Sequence, residues 1–351
     1  MKALSLYAVN DFRLVDLPVP EPKGEEILLK VGACGICGSD IPRVYKLGTR
    51  VNPVVLGHEF AGEVVAVGDQ KDNDLIGRKA AVFPLIPCKK CDSCEIGNYN
   101  QCQNYGYLGS RNNGGFAQYC LIPSRWHLVL ANDDANLEHL AITEPACVAQ
   151  HAIRKGRVTA GQTVVVLGAG PIGILIARWA KLFGASQVVL TEINEEKEAF
   201  AKERGLTVIN SLKEDAKQII DHLTNGRGAD VVIEGTGSSG GINDALQIVR
   251  YGGNVVWMGN PSNDTTIKLQ NHSTLLRKEL NMYGIWNSAY SNTPINEWKY
   301  TVEMIQNGKL KVNDLITHTA GIQDMLKLFD QIHDHEITIC KAMYSAKLDK
   351  E

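Results

Sequence analysis

The chain has 351 residues, 44% hydrophobic and 21% charged, with a formal net charge of −3 at pH 7. That length outgrows one ordinary core, so two domains are expected. The charge balance gives no footing for nucleic acid or an anionic membrane as partner, and no repeat or low-complexity tract is present.

The start, "MKALSLYAVNDFRL", lacks the basic segment, long apolar run and small-residue cleavage site of an export signal, so a cytoplasmic protein is expected. Nine cysteines in such a chain point to reducing surroundings, where grouped cysteines bind metal. From residue 1 to about 149, short apolar segments such as "EEILLKV", "EFAGEVVAVG" and "RKAAVFPLIP" alternate with Gly, Pro and Asp, and read as strands of a mostly β domain. Within it, "GACGICGSDIPRV" holds Cys34 and Cys37 two residues apart, open to reading as a redox pair, two metal ligands, or one ligand and a bystander.

Cys88, Cys91, Cys94 and Cys102 follow as C-x2-C-x2-C-x7-C in a polar loop. Four thiolates at this spacing can wrap one tetrahedral zinc and leave no open position, which defines a structural site. The ferredoxin pattern has a shorter last spacing and a proline after the fourth cysteine, where Gln103 stands here. An open, catalytic zinc wants about three further ligands. "LGHEFAG" offers His58 and Glu59, and "ITEPACVAQH" offers Glu144, Cys147 and His151; periodicity does not choose among them.

From about 163 the rhythm becomes strand–helix: "TVVVLG", "PIGILIARWAKLFG", "QVVLTEI", "EEKEAFAKERG", "TVIN", "KEDAKQIIDHLT", "ADVVIEGT", a helix from about 240, and "GNVVWMG". This alternation predicts a doubly wound parallel sheet. Arg178, Lys181 and the Gly/Pro cluster at 168–173 argue against a membrane span at 163–185. Gly168, Gly170, Pro171, Ile172 and Gly173 lie on a G-x-G-x-x-G turn between strand and helix, where glycines permit a tight turn and close approach to a pyrophosphate. Glu192, 19 residues after Gly173, ends the next strand, where an acid accepts hydrogen bonds from a ribose and repels a 2′-phosphate. NAD is therefore the expected cofactor. Thr236 and Gly259 end later strands and are expected to line its crevice. After about 287 the alternation stops.

Taken together, GxCGSD, GHE, the four-cysteine lobe, EP, GAGPIG and the acid after the second strand resemble the zinc-dependent medium-chain dehydrogenases over essentially the whole chain. "CGSDIPRVYKLG", "PLIPCKKCDSC" and "LGSRNNGGFAQY" look most like their polyol branch. The resemblance implies a GroES-like, mostly β catalytic domain over 1–149, a Rossmann domain over 150–286, and a return to the catalytic domain over 287–351, with the active site in the cleft between the domains. It implies a catalytic zinc on Cys37, His58 and Glu144, with Glu59 as a neighbouring or exchangeable ligand and Asp40 orienting His58. Cys34, Cys147, Cys120 and Cys340 then read as core residues.

The resemblance further implies two zinc ions per chain, a homodimer or homotetramer, and Ser39 as the hydroxyl that takes the alcohol proton. Pro42 stands where many relatives carry a relay histidine, and proline cannot carry a proton. Arg43, Lys46 and Arg111 are expected either as solvated charges or as a clamp for a substrate phosphate. The implied reaction is oxidation of a sugar alcohol phosphate, galactitol 1-phosphate to tagatose 6-phosphate foremost, with sorbitol or L-iditol as the unphosphorylated alternative. L-Threonine is a more distant option. Cys37, His58 and Glu144 together argue against a zinc-free quinone reductase. A silent NAD-binding protein on the same fold would show damaged ligand positions, and none is damaged.

Overall fold

The computed structural model describes residues 1–291 and 295–350. The chain divides into two compact units, Met1–Cys147 with Ala289–Glu351, and Val148–Ser288; the division falls inside the helix Thr143–Lys155.

The first unit is built on a seven-stranded sheet. Its strands run in the order Leu128–Leu130, Lys79–Val82, Glu59–Val67, Ile27–Gly35, Lys341–Ser345 and Ile316–Ala320, and Tyr119–Ile122 also pairs with Ile27–Gly35. The central strand "ILLKVGACG" is buried at seven of its nine positions, which explains why it reads as a continuous apolar run rather than an alternation. Leu29, Phe60, Phe116, Phe329 and Tyr344 pack in one core, to which residues of the C-terminal segment contribute. The expected strand "RKAAVFPLIP" is broken in two, Lys79–Val82 and Leu85–Ile86, which pair with different partners. Pro84 lies at the break, where it has no N–H to give a ladder.

Two glycines set the register beside the metal ligands. Gly35 pairs with Glu59, and a Cβ on Gly35 would lie 2.3 Å from Glu59 Oε2. Gly57 turns the chain into that strand with φ +93°, and a Cβ there would meet Cys34 Sγ at 2.6 Å.

The second unit holds six parallel strands in the order Thr207–Asn210, Gln187–Glu192, Thr163–Leu167, Ala229–Glu234, Val249–Trp257 and Asn281–Gly284. This is the doubly wound order, reversing beside the first strand. The expected helices form over Pro171–Leu182, Glu195–Glu203, Ala216–Leu223 and Ser239–Ile248. Asn194, Asp215 and Ser238 cap three of them by accepting from backbone N–H groups. Among the described residues, no helix is long and apolar enough to cross a membrane.

Candidate metal centres and nucleotide site

Cys88, Cys91, Cys94 and Cys102 come together with all four Sγ atoms within 4.8 Å of one another. Cys88 and Cys94 stand 4.0 Å apart, and Cys91 and Cys102 3.9 Å. Zinc–sulfur bonds of about 2.3 Å in a tetrahedron give sulfur–sulfur edges of roughly 3.8 Å, so the cage has the right size. Backbone N–H groups of Gln103 and Cys94 bring Cys91 down to about 6, whereas burial lifts Cys94 to about 12. The donors fit zinc with no position left for a substrate.

The second group starts at the end of the Ile27–Gly35 strand. Cys37 is followed by a helical stretch over 40–47 that opens on Asp40 and contains Pro42 in its first turn, where a missing N–H does no harm. Asp40 is fully buried. Its Oδ2 accepts from Cys37 N at 3.0 Å and its Oδ1 from Arg43 Nη1 at 2.7 Å. His58 Nδ1 faces Asp40 Oδ1 at 3.7 Å, too long for a hydrogen bond, and this nitrogen has no other partner among the described residues. Ser39 Oγ donates to Cys37 Sγ at 3.3 Å.

Cys37, His58 and Glu59 place one ligand atom each within 4.8 Å of the others. Glu144, expected as the third ligand, lies outside this group. It stands in the first turn of the helix Thr143–Lys155, and its Oε1 accepts from Tyr107 Oη at 3.2 Å. Glu59 reaches the cluster because it opens its strand directly after His58 and faces a glycine.

Two residues at this centre escape a reading of the sequence. Tyr107 donates to Glu144 and meets the His58 ring edge-on at 5.7 Å. Lys341, 3% exposed on the Lys341–Ser345 strand, donates to Glu59 Oε2 at 2.7 Å, Glu59 Oε1 at 3.0 Å and Ile36 O at 3.0 Å. A lone lysine inside the apolar run "KAMYS" was the available signal.

The electrostatics demand a cation. Burial opposes charge on His58, yet Asp40, Cys37 and Glu144 outweigh it and bring the imidazole to about 10. Burial pushes Glu144 up to about 7 although His58 pulls it down. Burial also opposes the Lys341 charge, and Glu59 followed by Cys37 more than restores it. A sulfur, an imidazole nitrogen and a carboxylate so surrounded by anions fit a divalent metal such as zinc.

The proposed phosphate contacts fare differently. Arg43 is bound to Asp40, and Arg111 donates to Tyr105 O at 2.6 Å with its guanidinium 3.8 Å above the Tyr105 ring. Lys46 is exposed on the 43–47 stretch. Cys34 and Cys147 are wholly buried, and Cys120 nearly so.

In the second unit, Gly168 has φ +105° and donates to Thr191 O at 2.8 Å. A Cβ on Gly173 would lie 2.0 Å from Gly168 O, so the helix can approach the turn this closely only with glycine there. A Cβ on Gly170 would meet nothing within 4 Å, and the helix opens with Pro171. A turn clear of side chains at a helix start fits a pyrophosphate. Glu192 accepts from Ala169 N at 3.0 Å, Ile193 N at 2.8 Å and Asn194 N at 3.1 Å, which fixes its carboxylate beside the turn. Thr236 packs toward Gly168 from the neighbouring strand end.

A sheet domain carrying two metal-ligand clusters, joined in one chain to a nucleotide-binding domain, defines a zinc alcohol dehydrogenase. Residues 23–133 match the alcohol dehydrogenase GroES-like domain and residues 171–307 the zinc-binding dehydrogenase domain. The chain is 35% identical to a sorbitol dehydrogenase of Bacillus subtilis, over 92% of this chain and 91% of that one. It superimposes on the crystal structure of galactitol-1-phosphate dehydrogenase from Escherichia coli with a TM-score of 0.91 at 30% identity, covering 98% of this chain and 100% of that one. A putative zinc-binding dehydrogenase of Sinorhizobium meliloti, bound to NADP, is similar with a TM-score of 0.88 at 27% identity, over 98% of both chains. The chain belongs to the zinc-dependent medium-chain dehydrogenase family, with polyol dehydrogenases among its relatives.

Proposed function

We propose that this chain is an NAD-dependent dehydrogenase that oxidises a secondary alcohol of a sugar alcohol phosphate, galactitol 1-phosphate to tagatose 6-phosphate foremost. The convergence of Cys37, His58 and Glu59 within 4.8 Å carries the reading. It takes the first unit as the catalytic domain, the second as the NAD domain, and assigns one zinc to each ligand cluster. Zinc held there supplies Lewis acidity that lowers the pKa of an alcohol, and NAD supplies the hydride acceptor.

The protein's own part is to hold and orient. Asp40 fixes the Cys37 backbone and faces His58, while Lys341 holds Glu59 and Tyr107 holds Glu144. Ser39 Oγ, exposed beside Cys37, receives the alcohol proton. Pro42 offers no onward site, so the proton's path out of Ser39 does not run through residue 42. Glu192, its carboxylate fixed beside the glycine turn, favours NAD over NADP.

A second reading, an unphosphorylated polyol as substrate, is favoured by one observation: Arg43 and Arg111 are both engaged inside the protein. The sorbitol dehydrogenase relative supports it. NADH formation from galactitol 1-phosphate, galactitol and sorbitol, measured side by side on zinc-loaded protein, separates the two. Preference for the phosphate ester supports the first reading, and equal or better turnover of a free polyol overturns it in favour of the second. Inactivity on all three refutes both.

A further inference from the structure

Glu234 ends the Ala229–Glu234 strand, between the strand that leads into the glycine turn and the strand Val249–Trp257; it pairs with Leu167 on one side and Trp257 on the other. Its side chain is 1% exposed. No Lys or Arg among the described residues forms an ion pair with it. The carboxylate is instead satisfied by the chain that follows it. Oε1 accepts from Thr236 N at 2.7 Å, from the Thr236 hydroxyl, and from Gly237 N at 3.0 Å, while Oε2 accepts from Gly237 N at 3.2 Å. The backbone carbonyl of the same residue accepts from Met258 N and Gly259 N, both at 3.0 Å. One residue therefore pins two loops, 235–237 and 258–259.

The surroundings are shaped to admit this carboxylate. A Cβ on Gly241 would lie 2.7 Å from Oε1 and one on Gly259 would lie 2.9 Å from Oε2, so any larger residue at either place would intrude on it. Gly237, with φ +65°, completes the niche. The order extends outward: Ser238 N donates to Thr236 Oγ1 at 3.1 Å, and Ser238 Oγ caps the helix Ser239–Ile248 through Gly241 N at 3.0 Å. Burying a carboxylate without a counter-cation is unfavourable unless donors surround it, and each donor is then held more tightly than by a neutral acceptor. A glutamine of the same size could satisfy the niche only in part, because its amide nitrogen would face N–H groups.

We propose that Glu234 is a positioning residue for dinucleotide binding, holding the 235–237 and 258–259 loops in their binding shape before the cofactor arrives. The proposal rests on the reading of this unit as a dinucleotide-binding domain. Glu234 touches no reacting atom; it acts through Thr236, Gly237 and Gly259.

The test uses the full zinc-loaded chain, with NADH as the probe. Glu234→Gln removes the charge at constant size, and Gly241→Ala presses from the helix side on the Thr236 hydroxyl, 2.3 Å from the added Cβ, and on the carboxylate it bonds, 2.7 Å away. In each variant the dissociation constant for NADH is expected to rise on the order of tenfold, as loss of one or two charge-assisted hydrogen bonds predicts. Zinc content should be unchanged, and hydrogen exchange at the Thr236 and Gly237 amides of the free protein should accelerate, while Met258 N and Gly259 N, bonded to the residue 234 carbonyl that both variants keep, serve as the internal reference. A global structural role would not confine the exchange to those amides. If Glu234→Gln does not fold, Gly241→Ala decides. NADH affinity within about twofold of wild type, or weakened affinity without faster exchange in the 235–237 loop, overturns the proposal and leaves the dinucleotide reading standing. Failure of the wild type to bind NADH or NADPH overturns that reading and the proposal with it.

Discussion

Lys341→Met probes the least legible contact of the metal centre. The ammonium makes three short hydrogen bonds, two to Glu59 and one to Ile36 O, in a site 3% exposed. Removing one partner of a buried ion pair costs about 3–5 kcal/mol, because the remaining charge stays buried and uncompensated. The Ile36 carbonyl, left without a donor, accounts for roughly 1 kcal/mol of that. In the wild type, Glu59 has a cation whether or not a metal lies between Cys37, His58 and Glu59. In the variant the cations left within its reach among the described residues are a metal at the site or, without one, the protonated His58 imidazole. If the metal recovers about a third of the loss, its stabilising effect grows by roughly 1–1.5 kcal/mol and its affinity by about tenfold. The assay is urea unfolding of both proteins, with the Cys37-site metal present and after its removal by a mild chelator that leaves the four-thiolate site filled, as checked by metal counting. A metal increment in the variant equal to or below that of the wild type refutes the idea that Lys341 and the metal share Glu59.

Three further outcomes are expected. Cys94→Ser breaks the four-thiolate cage, so bound zinc should fall by one per chain and the 88–102 segment should become a site of proteolysis; an unchanged metal count refutes the assignment. Glu192→Ser removes the charge that opposes a 2′-phosphate, and the preference for NADH over NADPH in calorimetric titration should shrink by about tenfold or more; a constant ratio shows that discrimination lies elsewhere. His127 is 2% exposed, its ring has only Ser124 Oγ at 3.3 Å as a hydrogen-bond partner among the described residues, and burial pushes it from 6.5 to about 4. The unfolded chain thus takes up its proton first, so stability is full above pH 6.5 and declines as pH falls toward 4. At pH 5.5 the loss from this one group is about 1.4 kcal/mol. His127→Gln should therefore lose less stability than wild type between pH 7.5 and 5.5, and parallel losses refute the assignment.

What the sequence made legible was local. The glycine turn, the four-cysteine loop and the strand–helix alternation each lie within a short window, and each formed where the pattern placed it. The metal centre was legible only in its members. His58, Glu59 and Glu144 were all visible, yet which carboxylate joins Cys37 depends on the pairing of Gly35 with Glu59, a register between distant strands that no local pattern encodes. Lys341 is further still, 282 positions from the glutamate it holds. Tyr107 lies on the two-residue strand Gly106–Tyr107, too short to carry a periodicity. Arg43 is the exception, because its partner Asp40 lies three residues earlier on a helical stretch, a spacing that signals an ion pair. Its charge leaves a solvated site or a phosphate clamp open, whereas its spacing from Asp40 points to a partner within the protein.

The same contrast explains why charge alone was a poor guide to substrate at this site. Asp40, Glu59, Glu144 and the Cys37 thiolate gather four potential anions around one imidazole. Such a cluster needs cations of its own, and the structure supplies two from the chain, Arg43 on Asp40 and Lys341 on Glu59. A divalent metal bound between Cys37, His58 and Glu59 would balance the remaining charge. Basic residues near a metal centre rich in carboxylates are thus consumed by the centre before any substrate arrives. A phosphate on the substrate would need a cation farther out, and of the three candidates Arg43 is held by Asp40 and Arg111 by Tyr105, which leaves Lys46, exposed beyond the Asp40–Arg43 pair. Lys46→Ala should then raise KM for galactitol 1-phosphate and leave KM for galactitol unchanged; an equal effect on both, or none on either, removes Lys46 from the site.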